Sequence, residues 1–336
     1  MSNKQVHLTV CPGTLQEGFD TYSPLVLRTF FGGRKVSHVL QYMSPTQEDE
    51  AQLFRDNRKR ISISGVQEKV SMLLDGNTLR LTREGERGTY LLKPIPRDLG
   101  RVDQVPANEH LTMQIAKQVF GLNTAQNALI FFKNGTPAYI TKRFDVKADG
   151  TRWGKEDFAS LAGKTEVNAG NNYKYDYSYD GIGHLIKKFV PAWPIEIERY
   201  FEIVLFNYLF SNGDAHLKNF ALLETIDSDY RLSPFYDLIN TGLHVDDSPF
   251  ALSGGLFSME QRSTDYQLTG YPCRADFVKF GSILGMREKR TLRILDRFEN
   301  YNDPIDKIIE RSFLEESVKP LYHDAFRRRL YRISDH

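Results

Sequence analysis

The sequence predicts an α+β protein whose first part is rich in short strands and whose larger second part is mostly helical. Three observations carry this. Apolar residues alternate with polar ones in short runs before Arg143, and the composition turns helical and polar after Arg143-Phe144-Asp145. The most apolar run, Ile197 to Phe210, places Ile197, Phe201, Val204, Leu205 and Tyr208 at three-and-four spacing, the pattern of a buried helix.

In chain order, Val6, Leu8 and Val10 alternate with His7 and Thr9 and predict a strand closed by Pro12-Gly13. Phe30-Phe31-Gly32-Gly33 reads as a turn and Val36 to Tyr42 as a second strand, while residues 44–60 are polar and loop-like or form a short surface helix. Val70, Met72 and Leu74 alternate into an Asp75-Gly76-Asn77 turn and a partner strand over Thr78 to Thr82. Gly88 to Lys93 is a third strand, Glu109 opens a helix with Leu111, Ile115 and Val119 on one face, and Gly121 ends it. Ala128 to Phe132 and Ala138 to Arg143 form a hairpin across Asn134-Gly135. A strand pair, a third strand ending in Lys, a helix opening with Glu and a closing hairpin is the layout of a protein-kinase small lobe. The expected fold is therefore bilobal and protein-kinase-like: residues 1–60 as an N-terminal segment of the small lobe, 61–143 as the small lobe, and 144–336 as the helical large lobe.

In the second part, Glu156-Asp157-Phe158 starts a short helix, and Asn168 to Asp180 is a loop rich in Gly, Asn and Tyr that ends at Gly181 and Gly183. Helices follow over Ile182 to Val190, Ile195 to Phe210, Phe277 to Leu284, Glu288 to Phe298, Asp303 to Leu314 and Leu321 to Tyr331. With 336 residues the chain can bury a sizeable core. A net charge of +1 argues against a nucleic-acid-wrapping protein. Cys11 and Cys273, far apart and without ligand spacing, support neither a disulfide framework nor a zinc site. The first residues lack the apolar core of a signal peptide, and no window approaches the ~18 apolar residues needed to span a bilayer. The expectation is a cytoplasmic protein that does not bind membranes.

Directly after the apolar helix, residues 211–240 collect ionisable groups. Asp214 and Asn219 lie five apart, and Asp237 follows behind Pro234-Phe235-Tyr236. Phosphoryl transfer requires a carboxylate to accept the proton of the attacking hydroxyl and oxygen ligands for Mg2+, one of which can be an amide. Asp214, Asn219 and Asp237 fit these roles in that order, with His216 and Lys218 in the same span. Taken singly, Asn212-Gly213-Asp214 is also ordinary turn chemistry. By position, Lys93 would hold nucleotide phosphates and Glu109 would form the ion pair that fixes it. Gly65, in Ser62-Ile63-Ser64-Gly65, stands where backbone amides cradle phosphates in kinases.

GDAHLKNF, from Gly213, and SPFYD, from Ser233, resemble the catalytic and metal-binding loops of the HipA-like serine/threonine kinase toxins. Ser62, Gly65, Gln67 and Lys69 match that family's serine loop. Lys93, Asn108-Glu109, Lys142-Arg143-Phe144-Asp145 and Glu156-Asp157-Phe158 follow in the family's order. The resemblance implies that Asp214 is the catalytic base and that Asn219 and Asp237 bind Mg2+. It also implies an ATP site drawn from Ser64, Gly65, Val66, Gln67, Glu68, Lys69, Lys93, Lys142, Arg143, Phe144, His216, Lys218, Asn219, Tyr236 and Asp237. Autophosphorylation at Ser62, Ser64 or both is implied too; a phosphate there adds about 1.5 to 2 negative charges beside a polyphosphate.

Two features depart from the longer family members. Lys142 stands where they carry Glu, and only about 60 residues precede the serine loop, as in the short HipT-like branch. That branch implies a separate small antitoxin in place of an N-terminal subdomain, and a helix-turn-helix DNA-binding partner through which any DNA contact is made. The implied protein substrate is an aminoacyl-tRNA synthetase. The expected function is that of a serine/threonine protein kinase acting as the toxin of a bacterial type II toxin-antitoxin system. A small-molecule phosphotransferase and a catalytically idle subunit of a repressor complex stay open as alternatives.

Overall fold

Val70–Asp75 (β1) turns back into Thr78–Leu81 (β2) through Gly76, whose φ of +59° supplies the left-handed backbone a tight hairpin needs. Tyr90–Lys93 (β3), Asn127–Phe131 (β4) and Pro137–Lys142 (β5) complete an antiparallel sheet in the order β2-β1-β3-β5-β4. This computed structural model describes residues 7–45, 69–96, 99–300 and 302–334. The chain divides into two compact units. One comprises residues up to 114, 125–144 and 307–319; the other comprises 115–124, 145–306 and those from 320 onward.

In the first unit, among the described residues, neither of the two strands expected before residue 45 forms. Val10 makes a single bridge to Glu17, and Val39 one to Phe131. Pro12 and Gly13 end the first alternation after too few residues for a ladder, and the segment instead covers the outer edge of β4. Leu129 N donates to Pro12 O at 2.7 Å, Leu40 N to Phe131 O at 2.7 Å and Lys133 N to Tyr42 O at 2.8 Å. These bonds satisfy an edge that would otherwise be open to pairing with another chain. The short helix Pro24–Thr29 (α1), capped by Ser23, brings Val26, Phe30 and Phe31 onto the sheet, where Tyr90 Oη donates to Phe30 O at 2.7 Å. Val105–Gln118 (α2) starts one turn earlier than Glu109. Pro106 sits in its first turn, where a missing N–H costs nothing, so the proline opens the helix rather than delaying it.

In the second unit Lys155–Asp157 (β6), Ala221–Glu224 (β7) and Tyr230–Leu232 (β8) form an antiparallel sheet in the order β6-β7-β8. Glu156 and Asp157 therefore end a strand, and the Asp157 carboxylate caps the following helix, Phe158–Leu161 (α3), by accepting from Ser160 N at 3.0 Å. After Glu166–Ala169 (α4), Tyr179–Phe189 (α5) starts ahead of the expected Ile182 and contains Gly181 and Gly183. A Cβ at Gly183 would lie 2.2 Å from Leu284 Cδ2, so this glycine serves close helix packing rather than a loop. Trp193–Leu209 (α6) is buried on nearly all sides, with Phe201 against Phe277 and Phe280 and Tyr208 against Phe250 and Phe277. Each such side chain contributes on the order of 1.5–3 kcal/mol by burial. Thr264–Thr269 (α7), which the periodicity did not announce, precedes Arg274–Ile283 (α8) and Glu288–Glu299 (α9). Asn302–Glu310 (α10) and Lys319–Ile333 (α11) end the chain's helices.

Candidate functional site

In the first unit, β3 ends at Lys93, whose register partner on β5 is Tyr139; the ammonium lies 5.3 Å from the centre of that ring. Glu109 sits in the second turn of α2, and its Oε1 accepts from Lys93 Nζ at 2.6 Å. Both side chains are nearly sealed from solvent, at 4% and 2% exposure. A dry ion pair costs desolvation and adds little net stability over apolar packing, but it holds an ammonium in a fixed place. Other buried polar groups of α2 are tied down as well: Thr112 Oγ1 donates to Asn108 O at 2.9 Å, and Gln114 Nε2 to Asn127 Oδ1 at 2.9 Å. Lys142, Arg143 and Phe144 are half-buried at the end of β5, and burial lowers the Lys142 ammonium from its usual range. Lys69, just before β1, is half-buried. Ser62, Ser64, Gly65, Val66, Gln67 and Glu68 lie outside the described residues.

In the second unit, α6 runs into a loop built from side-chain bonds rather than a regular ladder. Asn207, inside the apolar helix, accepts through Oδ1 from Asn212 Nδ2 at 2.9 Å, and the same Asn212 amide reaches Asp237 O at 3.4 Å. Gly213 N donates to Thr241 Oγ1 at 2.8 Å. A Cβ on Gly213 would lie 2.4 Å from the Asp247 carboxylate, which explains why glycine precedes Asp214. Asp214 and Asn219 stay partly exposed. Asn219 Nδ2 donates to Asp214 O at 3.0 Å, so the two are locked five residues apart. Tyr175 Oη donates to Asp214 Oδ1 at 2.8 Å. His216 is buried, its Nδ1 has no hydrogen-bond partner among the described residues, and burial lowers its imidazole to about 4, so it is neutral near pH 7.

Asp237 follows β8 with a φ of +57°, a conformation that is uncommon and costly outside glycine and that concentrates at functional positions. Tyr236 anchors it from one side, since its Oη donates to Lys218 O at 2.8 Å. Asp214, His216, Lys218, Asn219, Tyr236 and Asp237 thus belong to one hydrogen-bonded loop system. The Asn219 amide nitrogen is committed to Asp214 O, so the group Asn219 has left to offer a ligand is its amide oxygen; that oxygen and the Asp237 carboxylate are both hard donors of the type Mg2+ takes. Sequence reasoning missed Asn207, Asn212, Thr241 and Tyr175. An amide within the most apolar run was the legible signal for Asn207; Asn212 showed only as turn chemistry, Tyr175 only as part of a Tyr-rich loop, and Thr241 had no signal.

The model of the HipA-like C-terminal domain matches residues 61–304. A candidate kinase of Haemophilus influenzae is 23% identical over 287 residues, 80% of this chain and 81% of that protein. The serine/threonine-protein kinase toxin HipA of Shewanella oneidensis is 23% identical over 210 residues, 57% of this chain and 46% of that protein. Among solved structures, the Shewanella oneidensis toxin-antitoxin complex of HipA, HipB and operator DNA contains a chain that superposes with a TM-score of 0.61 at 23% identity. That likeness covers 82% of this chain and 65% of the other. It shows an α+β kinase-like fold. This chain spans about half the length of the curated Shewanella toxin.

Proposed function

Because this chain belongs to the HipA-like family, whose C-terminal-domain model matches well over half of it, we propose that it is an ATP-dependent serine/threonine protein kinase and a toxin. The observation that carries the reading is the sealed Lys93–Glu109 pair, which joins the end of a strand to a helix. An ammonium held in a dry setting, with its carboxylate partner fixed by a helix, is arranged to meet phosphate oxygens. Bound Mg2+ would neutralise the charge that develops on the transferred phosphoryl group. Asn219 and Asp237 are the residues proposed to hold it, and Asp214 accepts the proton of the attacking serine hydroxyl. Neutral His216 packs edge to face on the Tyr175 ring and adds no competing cation.

The ATP-binding set is completed in this proposal by Ser64 to Lys69, Lys142 to Phe144, Lys218 and Tyr236, and self-inactivation by phosphorylation of Ser62 or Ser64. The Shewanella complex, which holds HipA with HipB on operator DNA, supports an antitoxin partner of the DNA-binding kind. An aminoacyl-tRNA synthetase is the proposed substrate on the family resemblance. No helix among the described residues is long and apolar enough to cross a membrane, and we place the kinase in the cytoplasm.

Radiolabelled ATP with Mg2+ tests the reading. Wild-type protein should label itself and a cellular protein, and Asp214→Gln should transfer at least 10²-fold more slowly, the usual contribution of a positioned base. No transfer by the wild type, or equal transfer by the variant, rejects it. Phosphoproteomics after expression of wild type against Asp237→Gln would name the substrate.

A further inference from the structure

We propose that Tyr175 is a positioning residue for the Asp214 carboxylate; this rests on the reading of Asp214 as the base. Tyr175 lies on the turn-rich segment between α4 and α5, 39 residues before Asp214, and its hydroxyl donates to Asp214 Oδ1 at 2.8 Å. The segment is held at both sides of the tyrosine. Leu217 N, on the catalytic loop itself, donates to Lys174 O at 3.1 Å, and Ser253 N donates to Tyr175 O at 2.9 Å. Gly254 N continues this with a bond to Tyr177 O at 2.9 Å, and a Cβ on Gly254 would lie 2.7 Å from Ser178 Cβ, so the strap is seated on glycine backbone. The Tyr175 ring meets the His216 ring edge to face, with centroids 5.3 Å apart. The phenol therefore has little freedom to rotate away from the carboxylate.

A base that must take a proton from a hydroxyl works only with one oxygen aimed at it. Tyr175 takes Oδ1 and fixes the plane of the carboxylate, which leaves Oδ2 for the substrate hydroxyl. Burial and the neighbouring Asp214 charge raise the phenol well above its usual range, so it stays protonated and remains a donor throughout the working pH range. The charged and titratable groups around this bond are Lys174 on the strap, His216 on the catalytic loop, and Asp237 and Asp247 beyond it.

Full-length wild type, Tyr175→Phe, Tyr177→Phe and Asp214→Asn would be compared in steady-state phosphotransfer over pH 5 to 9, with thermal unfolding as a check on folding. Tyr175→Phe keeps the ring against His216 and removes only the donor. The expected result is a kcat about tenfold lower with an unchanged KM for ATP. The acid limb of kcat should also move up by about half a pH unit, because a carboxylate that loses a donor holds its proton more tightly. Site-specific 3-fluorotyrosine at position 175, a stronger donor of almost the same shape, should move that limb down. Tyr177→Phe, in the same strap, should match the wild type. A Tyr175→Phe protein with unaltered or higher kcat, or with a lower kcat and an unmoved acid limb, overturns the inference while Asp214 remains the base. If Asp214→Asn itself keeps wild-type activity, the underlying reading falls first.

Discussion

Lys93 and Asp214 are both ionic residues, and the chain houses them in opposite ways. Lys93 ends a regular strand, pairs with the Glu109 carboxylate on a helix, and is almost sealed from water. Asp214 sits on irregular backbone, stays partly exposed, and is held through the amides of Asn212 and Asn219 and the phenol of Tyr175. The difference follows from the work proposed for each. A group that binds phosphate gains from a low dielectric and a fixed position, whereas a group that must accept a proton and meet a protein substrate has to remain reachable. Regular elements supply the first kind of site cheaply. The second kind needs loop backbone, which must then be satisfied bond by bond.

The contrast can be broken most easily at the dry pair. Glu109→Ala removes the carboxylate that accepts from the buried Lys93 ammonium and should destabilise by about 3–5 kcal/mol, read as a lower urea midpoint. Replacing both partners, Lys93→Met with Glu109→Leu, should recover most of that stability while abolishing phosphotransfer. Asp214→Asn should shift stability by less than ~1 kcal/mol. A Glu109→Ala protein as stable as the wild type would show that the pair is not sealed in solution.

A smaller effect distinguishes two of the buried histidines, His110 and His216. Burial lowers His110, in the first unit, to about 3 and His216, in the second, to about 4. Both folded values lie below the unfolded one near 6.5, so unfolding takes up protons as pH falls. The stability each contributes is complete above about pH 6.5 and is lost as pH falls through its folded value. His216→Asn should flatten the decline between pH 6.5 and 4 by roughly 1–2 kcal/mol. His110 should account for a decline that continues below pH 4. Urea midpoints at stepped pH read both, and an unchanged slope in His216→Asn would place that ring in water.

The smallest effect sharpens the picture of the loop. Asp237 holds a left-handed backbone, so Asp237→Gly should be about 1 kcal/mol more stable than Asp237→Ala, although both lose Mg2+-dependent transfer. Equal urea midpoints would mean that the turn relaxes once the carboxylate is gone.

The strand order around Lys93 was legible because each step is local. Asp75-Gly76-Asn77 and Asn134-Gly135 announce their hairpins, and α2 carries its apolar face in its own spacing. The start of α2 was misplaced because Pro106 permits a first helical turn as readily as it ends one. The expected early strands failed for a different reason. Val6 to Val10 and Val36 to Tyr42 carry strand-like alternation, but in the described part of the first run Val10 bridges only to Glu17, and the second run meets the edge of β4 through isolated bonds and one bridge. Alternation reports that a segment has two faces, not whether it joins a ladder.

By itself, then, the sequence determined the two small-lobe hairpins, the long buried helix and the five-residue interval between Asp214 and Asn219. These follow from backbone periodicity and short-range turn chemistry, whereas the pairing of Lys93 with Glu109 was expected only from the likeness to a kinase small lobe. Only the tertiary structure decided that Tyr175 donates to Asp214, that Asn207 orders Asn212 and through it Asp237, and that Gly183 and Gly213 are sites of close approach. Such contacts join residues remote in the chain, or turn on how nearly atoms meet, and neither propensity nor spacing encodes a distance between side chains.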